Sequence, residues 1–296
     1  MSDHSSGATT RLLGAAPEAF FIISASAQYL GAVIAVQLFD DLAPASVAWF
    51  RVIGAAIILI LVSLPRLLRQ GKWTRAEIAS AAIFGIAVAF MNLTFYLAIE
   101  RLDMGKGVAI EFIGPICVAA LTTRTRRNTL ALMLAAVGVV VLSGIELGNE
   151  PLGLLYIFLA SACWAAYIVI GSRVAQLDRG LAGLGVGLVI GAVMIAPFGA
   201  PQSGPAWSSP TLILLCVLVG LLSNAIGYGI EQSVFRVIPV RRFSVLLALL
   251  PVTAVVFGMV FLDQTPNAIE LVGIALVLAG VVVQQRDVLP AVEETA

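Results

Sequence analysis

Charged residues are scarce. Aspartate, glutamate, lysine and arginine make up 11% of the 296 residues, against about 25% in an ordinary soluble domain. A chain of this length can bury a large core, but it would still need a polar skin, and these residues do not suffice to make one. Net charge is missing too, since 17 basic and 17 acidic residues cancel. No basic surface points to nucleic acid, and no acidic tail points to a solvated partner. The three cysteines, Cys117, Cys163 and Cys216, are scattered through apolar runs without CxxC spacing. That pattern argues against both a disulfide framework and a metal site. The single histidine, His4, lies in the N-terminal tail. HExxH, GxSxG and phosphate-loop patterns are absent, so the sequence offers no enzyme chemistry, no ATP-driven pump and no cofactor.

What is present is apolar: 60% of the residues are hydrophobic and the mean hydropathy is +1.03. A hydrocarbon core of about 30 Å takes roughly 20 apolar residues in helical form. Backbone groups in lipid must be satisfied within the segment or in a closed barrel. The runs are continuous rather than alternating, so they read as helices. The expected spans are 18–38, 43–64, 76–98, 105–122, 129–145, 151–172, 180–199, 211–230, 240–262 and 268–285. The tail from Met1 to Pro17 carries one arginine, and no small-residue cleavage site follows the first run. That run reads as a retained helix rather than a signal peptide.

The cations fix an orientation. With the N-terminus inside, the inner set is Arg11; Arg66, Arg69, Lys72 and Arg75; Arg124, Arg126 and Arg127; Arg173 and Arg179; Arg236, Arg241 and Arg242; and Arg286. The outer loops hold Arg101 and Lys106, and Arg51 is intramembrane. Fourteen inner cations against two outer ones fit the positive-inside rule for ten helices with both termini cytoplasmic. The chain also repeats itself. Leu102-Asp-Met-Gly-Lys106 followed by Pro115 aligns with Ile238-Pro-Val-Arg-Arg242 followed by Pro251. Ala136-Val-Gly138-Val-Val aligns with Leu278-Ala-Gly280-Val-Val, and Ser24-Ala-Ser resembles Ser161-Ala-Cys. Each half holds five helices, so the second enters the membrane inverted, as the repeats of secondary transporters do. The expected organisation is an all-α integral membrane protein of ten transmembrane helices. It has a cytoplasmic tail over 1–17, five-helix repeats over 18–147 and 148–286, and a cytoplasmic tail over 287–296.

Polar groups inside the bilayer need a reason. Arg51 lies about 12 Å and Glu111 about 8–9 Å below the outer helix ends, at 1.5 Å per residue. Two readings stand: a structural ion pair between neighbouring helices, or a site in which Glu111 takes a substrate ammonium or a proton while Arg51 tunes it or holds a carboxylate. A carboxylate in a low dielectric can trade a proton for a cationic group. Pro115 removes the helix hydrogen bond to the carbonyl of Glu111, and Pro251 does the same to Leu247, so both read as kinks or gates unless they serve packing alone. A second ring of candidates is Gln28, Tyr29, Asn92, Tyr96, Trp164, Tyr167, Asn224 and Tyr228, each of which could instead serve helix packing or the interface. The glycines of Gly183-Leu-Gly185-Val-Gly187-Leu-Val-Ile-Gly191 read as close helix packing. Glu231 and Glu270, near helix ends, read as solvated.

Met91-Asn-Leu-Thr-Phe-Tyr-Leu-Ala-Ile99, Glu111-Phe-Ile-Gly-Pro115, Cys163-Trp-Ala-Ala-Tyr167 and Pro239-Val-Arg-Arg-Phe243 resemble the EamA branch of the drug/metabolite transporter superfamily. Within it they look most like the threonine/homoserine exporters of bacterial inner membranes. The similarity runs from about residue 18 to 286, and the Glu-Phe-x-Gly-Pro stretch is its most specific part. The resemblance implies ten helices around a central cavity in a bacterial inner membrane. It implies export of small amino acids or related metabolites, by exchange for protons, with membrane lipid as the other partner. It carries Glu111, Arg51, Asn92, Tyr96 and Trp164 as cavity residues. Leu250 is a departure, because the family often has a glutamate immediately before the second-repeat proline. Another solute, import, a channel and a membrane enzyme remain as alternatives, the last two disfavoured by the inverted repeat and by the lack of a nucleophile beside Glu111.

Overall fold

Every described element is helical. The computed structural model describes residues 17–69, 71–122, 125–146, 149–174, 180–227, 230 and 249–284. The helices are α1 (Pro17–Gln37), α2 (Pro44–Arg69), α3 (Arg75–Ile99), α4 (Met104–Glu111), α5 (Ile113–Thr122), α6 (Arg126–Glu146) and α7 (Pro151–Val174). They continue as α8 (Gly180–Gly199), the short α9 (Gly204–Ser208), α10 (Pro210–Gly220), α11 (Leu249–Phe261) and α12 (Ala268–Gln284). A π-helical segment, Leu221–Ile226, extends α10. Among the described residues, five helices are long and apolar enough to cross a membrane: Phe20–Asp40, Pro44–Pro65, Arg75–Ile99, Pro151–Val169 and Ala182–Gly199. Shorter apolar helices cover Pro210–Ile226, Leu250–Phe261 and Ala268–Val283.

The outside of the bundle is as apolar as its inside. Val62, Leu68, Val140, Val193, Leu214 and Val260 are each more than 60% exposed. In water that surface would be an aggregation site; in lipid it is the expected one. The interior is filled by Phe21, Tyr96, Met104, Ile110, Phe112, Ile157 and Leu188, all fully buried.

Small residues decide which helices touch. α3 packs along α7 and α8, α2 along α8, and α6 along α12. Gly85 on α3 meets the backbone of Gly187 on α8, and Gly191 lies 2.8 Å from the Ala89 Cβ by the position its own Cβ would take. The α8 glycines therefore serve close helix approach, as their spacing predicts. On the opposite side, a Cβ on Gly138 would stand 2.6 Å from the Gly273 carbonyl, and one on Gly280 would stand 2.7 Å from the Ala131 carbonyl. Gly85→Val is expected to destabilise the fold by about 1–3 kcal/mol, the usual range for overpacking. Thermal unfolding in detergent checks this, and a wild-type midpoint would contradict it.

Two irregularities shape the interior. The fourth expected span is broken at Phe112, between α4 and α5. The cause is Pro115, which has no N–H to give the carbonyl of Glu111; the ladder resumes with the Ile116 N–H donating to the Phe112 carbonyl at 3.3 Å. The second is the Leu221–Ile226 turn, whose i→i+5 bonding re-aims the side chains it carries.

Candidate functional site

Arg51 stands on α2 with its side chain turned into the bundle, and the residue is 8% exposed. Its Nε donates to Asn224 Oδ1 at 2.9 Å. Its guanidinium carbon lies 5.0 Å from the centroid of the Tyr96 ring, within cation–π range. Among the described residues no carboxylate lies within the 4.0 Å of an ion pair with it. Asn224 and Tyr96 are both fully buried. The Asn224 Nδ2 and the Tyr96 hydroxyl have no hydrogen-bond partner among the described residues, although Arg51 and Ser223 are polar neighbours of that hydroxyl. Phe39 closes the other side of Tyr96, ring to edge at 5.9 Å.

The π turn builds this corner. Ser223 and Asn224 are consecutive and both 0% exposed, yet they serve different helices. Asn224 faces Arg51 on α2, while the Ser223 hydroxyl donates to the Gln28 carbonyl on α1 at 3.3 Å. Gly31 lets α1 come against Ser223. One turn earlier on α1, the Ser24 hydroxyl donates to the Gly227 carbonyl at 3.1 Å, and the Gln28 amide donates to Ser24 Oγ at 3.3 Å.

Glu111 ends α4 and is 7% exposed. The break after it turns its neighbour Phe112 onto Trp164 of α7, edge to face at 4.9 Å. Gly114 brings α5 against the Ser161 backbone, so Glu111 faces the Cys163–Trp164 stretch of α7. The Cys163 thiol is within its electrostatic reach, as is Arg51. Arg51 and Glu111 do not form an ion pair, because their helices are not neighbours. α2 lies mainly against α8, α10 and α3, whereas α4 lies mainly against α11 and α7 and only lightly against α3. The two charges thus stand on different helices, within electrostatic reach of each other but not paired.

The remaining candidates divide. Asn92 is buried but spends its amide on its own helix, donating to the Val88 carbonyl at 2.7 Å. Tyr167 packs on Phe84 at 5.0 Å, one turn of α7 beyond Trp164. Tyr29 is buried on α1. Pro251 stands in the first described turn of α11, beside a buried Leu250. Tyr228, Glu231 and the Pro239–Phe243 motif lie outside the described residues.

One expectation fails. Glu270 is not solvated at its helix end: it is 6% exposed, and its Oε1 accepts from Lys106 Nζ at 3.0 Å. Its Oε2 accepts from the Asn267 N–H at 2.9 Å, while Asn267 Oδ1 caps the Glu270 N–H at 3.0 Å. Asp103 stands 3.3 Å from the same ammonium. The signal was in the sequence as Asn267-x-x-Glu270, the pattern of a reciprocal helix cap. Nothing in it announced that the cap would be covered by α4.

Comparison with known proteins shows the family. The chain is 32% identical over 280 residues to the threonine/homoserine exporter RhtA of Salmonella typhimurium, covering 92% of each chain. It is 33% identical over 252 residues to the RhtA of Escherichia coli (strain K12), covering 84% of each. Residues 151–284 match the model of the EamA-like transporter family. The chain belongs to that family. EamA-like proteins are transporters rather than enzymes, and the buried charges of this member face an interior flanked by helices that membrane lipid would surround. A more distant relative is the uncharacterized transporter YxxF of Bacillus subtilis, 21% identical over 226 residues and covering 71% of this chain. One protein of known crystal structure shares the fold, with a TM-score of 0.58 at 18% identity over 93% of this chain and 96% of its own.

Proposed function

We propose that this EamA-like transporter is a ten-helix, inverted-repeat carrier that exports small amino acids of the threonine/homoserine kind, or closely related metabolites, in exchange for protons. Its place is the bacterial inner membrane, with both termini cytoplasmic. The repeats are residues 18–147 and 148–286, flanked by cytoplasmic tails over 1–17 and 287–296. The observation that carries the substrate class is 32% identity across 92% of the chain to an exporter of threonine and homoserine. The interior supports it chemically: a guanidinium and a carboxylate on different helices, neither in an ion pair among the described residues, suit a solute that brings both opposite charges.

The packing pattern supports the inverted repeat. If α4 and α5 form one span and α10 continues through the π turn, the fifth helix of each half is α6 and α12, and the second is α2 and α8. Both pairs pack together, as do α4 and α11, which are the contacts a two-fold axis maps onto themselves. α3 against α7 is matched by α10 and its π turn against α1, and α3 against α8 is matched by α10 against α2. Glu111 is the proton site in this reading. Among the described residues, the charged and titratable groups within reach of it are Arg51 and Cys163, and neither of those forms an ion pair with it.

The test is efflux from proteoliposomes preloaded with labelled threonine, homoserine and unrelated amines, with and without an imposed pH gradient. Saturable threonine or homoserine efflux, accelerated by external acid and showing counterflow, is the expected result. Linear, non-saturating flux would favour a channel. Absence of amino-acid efflux from folded protein would move the substrate to another metabolite class and single out Leu250, where the family resemblance leads one to expect glutamate.

A further inference from the structure

We propose that Arg51, Asn224 and Tyr96 form the carboxylate subsite of the transported solute, and that this subsite restricts the carrier to compounds with a free carboxylate. The inference deepens the amino-acid reading above and rests on it for the rest of the solute.

Arg51 is the starting point. A buried guanidinium is stable only when its charge is met and its donors are satisfied. Here its partners among the described residues are neutral: one amide oxygen and one aromatic face. Its other donors form a planar fork suited to two oxygens of one carboxylate. Glu111 does not fill that role, since it lies beyond ion-pair distance on another wall. No described residue supplies that anion at ion-pair distance; a solute carboxylate would.

Two further atoms point to the same occupant. The Asn224 Nδ2 is a buried donor without a partner among the described residues, on a side chain whose oxygen is already held by Arg51. That bond fixes the amide's orientation, because the oxygen must face the guanidinium and the nitrogen must face away. The Tyr96 hydroxyl is a second buried group without a well-aligned hydrogen bond among the described residues; it lies beside Arg51 and Ser223, on a ring that faces the same guanidinium. Native proteins rarely leave such groups unpaired, and two of them around one cation make a donor set for oxygen. The π turn at Leu221–Ile226 agrees: turns of this kind are frequent at functional sites, and this one carries Asn224.

Glu111 then meets the opposite end of the solute, which separates the roles of the two charges. A carboxylate-free amine engages only Glu111; an ammonium-free acid engages only the Arg51 corner.

The experiment is ligand protection of the purified full chain against thermal unfolding in detergent. The probes are L-threonine and L-homoserine, 2-hydroxybutyrate (carboxylate without ammonium) and threoninol (ammonium without carboxylate). The expected result is protection by the carboxylate compounds and little or none by threoninol. Asn224→Ser should weaken carboxylate protection by about 10- to 100-fold, the loss of one or two bonds to a charged group. Arg51→Lys should weaken it more, because an ammonium cannot replace the fork. If Arg51→Lys does not fold, Asn224→Ser and the wild-type probe series carry the test alone. Protection by 2-hydroxybutyrate but not by amino acids would keep the subsite and overturn the amino-acid reading. Equal protection by threoninol and threonine, or no protection by any carboxylate, would overturn the subsite. Wild-type carboxylate selectivity in a folded Asn224→Ser protein would overturn the role of that residue.

Discussion

Glu111→Gln is expected to abolish pH-gradient-driven efflux and to leave the protein folded. The glutamate is 7% exposed and makes no hydrogen bond or ion pair among the described residues. Neutralising it removes titration and a place for an ammonium, while the isosteric amide keeps the packing against α7. Since no partner is stranded by the change, the usual destabilisation from breaking a buried pair does not apply. Proton coupling needs a group that gains and loses a proton within the transport cycle, and an amide cannot do so. The measurement is efflux from preloaded proteoliposomes at matched and acid external pH, with the unfolding midpoint recorded alongside. A mutant still accelerated by external acid like the wild type would sink the assignment of the proton to Glu111. A mutant that loses both transport and fold would instead make Glu111 structural.

Much of this architecture is legible in the sequence, because lipid imposes simple rules. Apolar runs of helical length mark the five helices long enough to cross a membrane, and Pro115 marks the break at Phe112, since a missing N–H four residues on leaves a carbonyl unbonded wherever the helix lies. The glycines of α8 are readable for a similar reason: small residues on one face let another backbone approach. The π turn is not readable. Leu-Leu-Ser-Asn-Ala-Ile has no local preference for i→i+5 bonding, and its register is set by what α1 and α2 present to it. Nor is the separation of Arg51 from Glu111. Similar depth permits a pair, but which helices adjoin is decided by long-range packing: α2 packs mainly on α8 and α10, and α4 mainly on α11 and α7. Arg51, Asn224 and Tyr96 are each visible as polar residues in apolar runs; their convergence is not, because they come from three helices.

Lys106→Met is expected to destabilise the protein by about 3–5 kcal/mol, the range for removing one partner of a buried ion pair. Lys106 and Glu270 are 7% and 6% exposed and meet at 3.0 Å, joining the start of α4 to the start of α12. Without the lysine, Glu270 would keep the backbone bond from Asn267 but lose the ammonium facing its other oxygen. Glu270→Gln should be milder, because Asp103 remains 3.3 Å from the lysine and is 42% exposed at its side chain, so water and a second carboxylate share the charge. The amide oxygen can also still accept from Asn267. The double variant Lys106→Met/Glu270→Gln should recover much of the loss, since no unpaired buried charge is left. Unfolding midpoints of the four proteins in detergent, read as a double-mutant cycle, decide it. A Lys106→Met protein as stable as wild type, or strictly additive single effects, would mean the pair contributes nothing. The predicted order, with the lysine loss worst and the double variant between it and wild type, would place this contact among the ties that hold α4 against α12. α4 is also the helix that ends in Glu111, so the tie and the proposed proton site sit at opposite ends of one eight-residue segment.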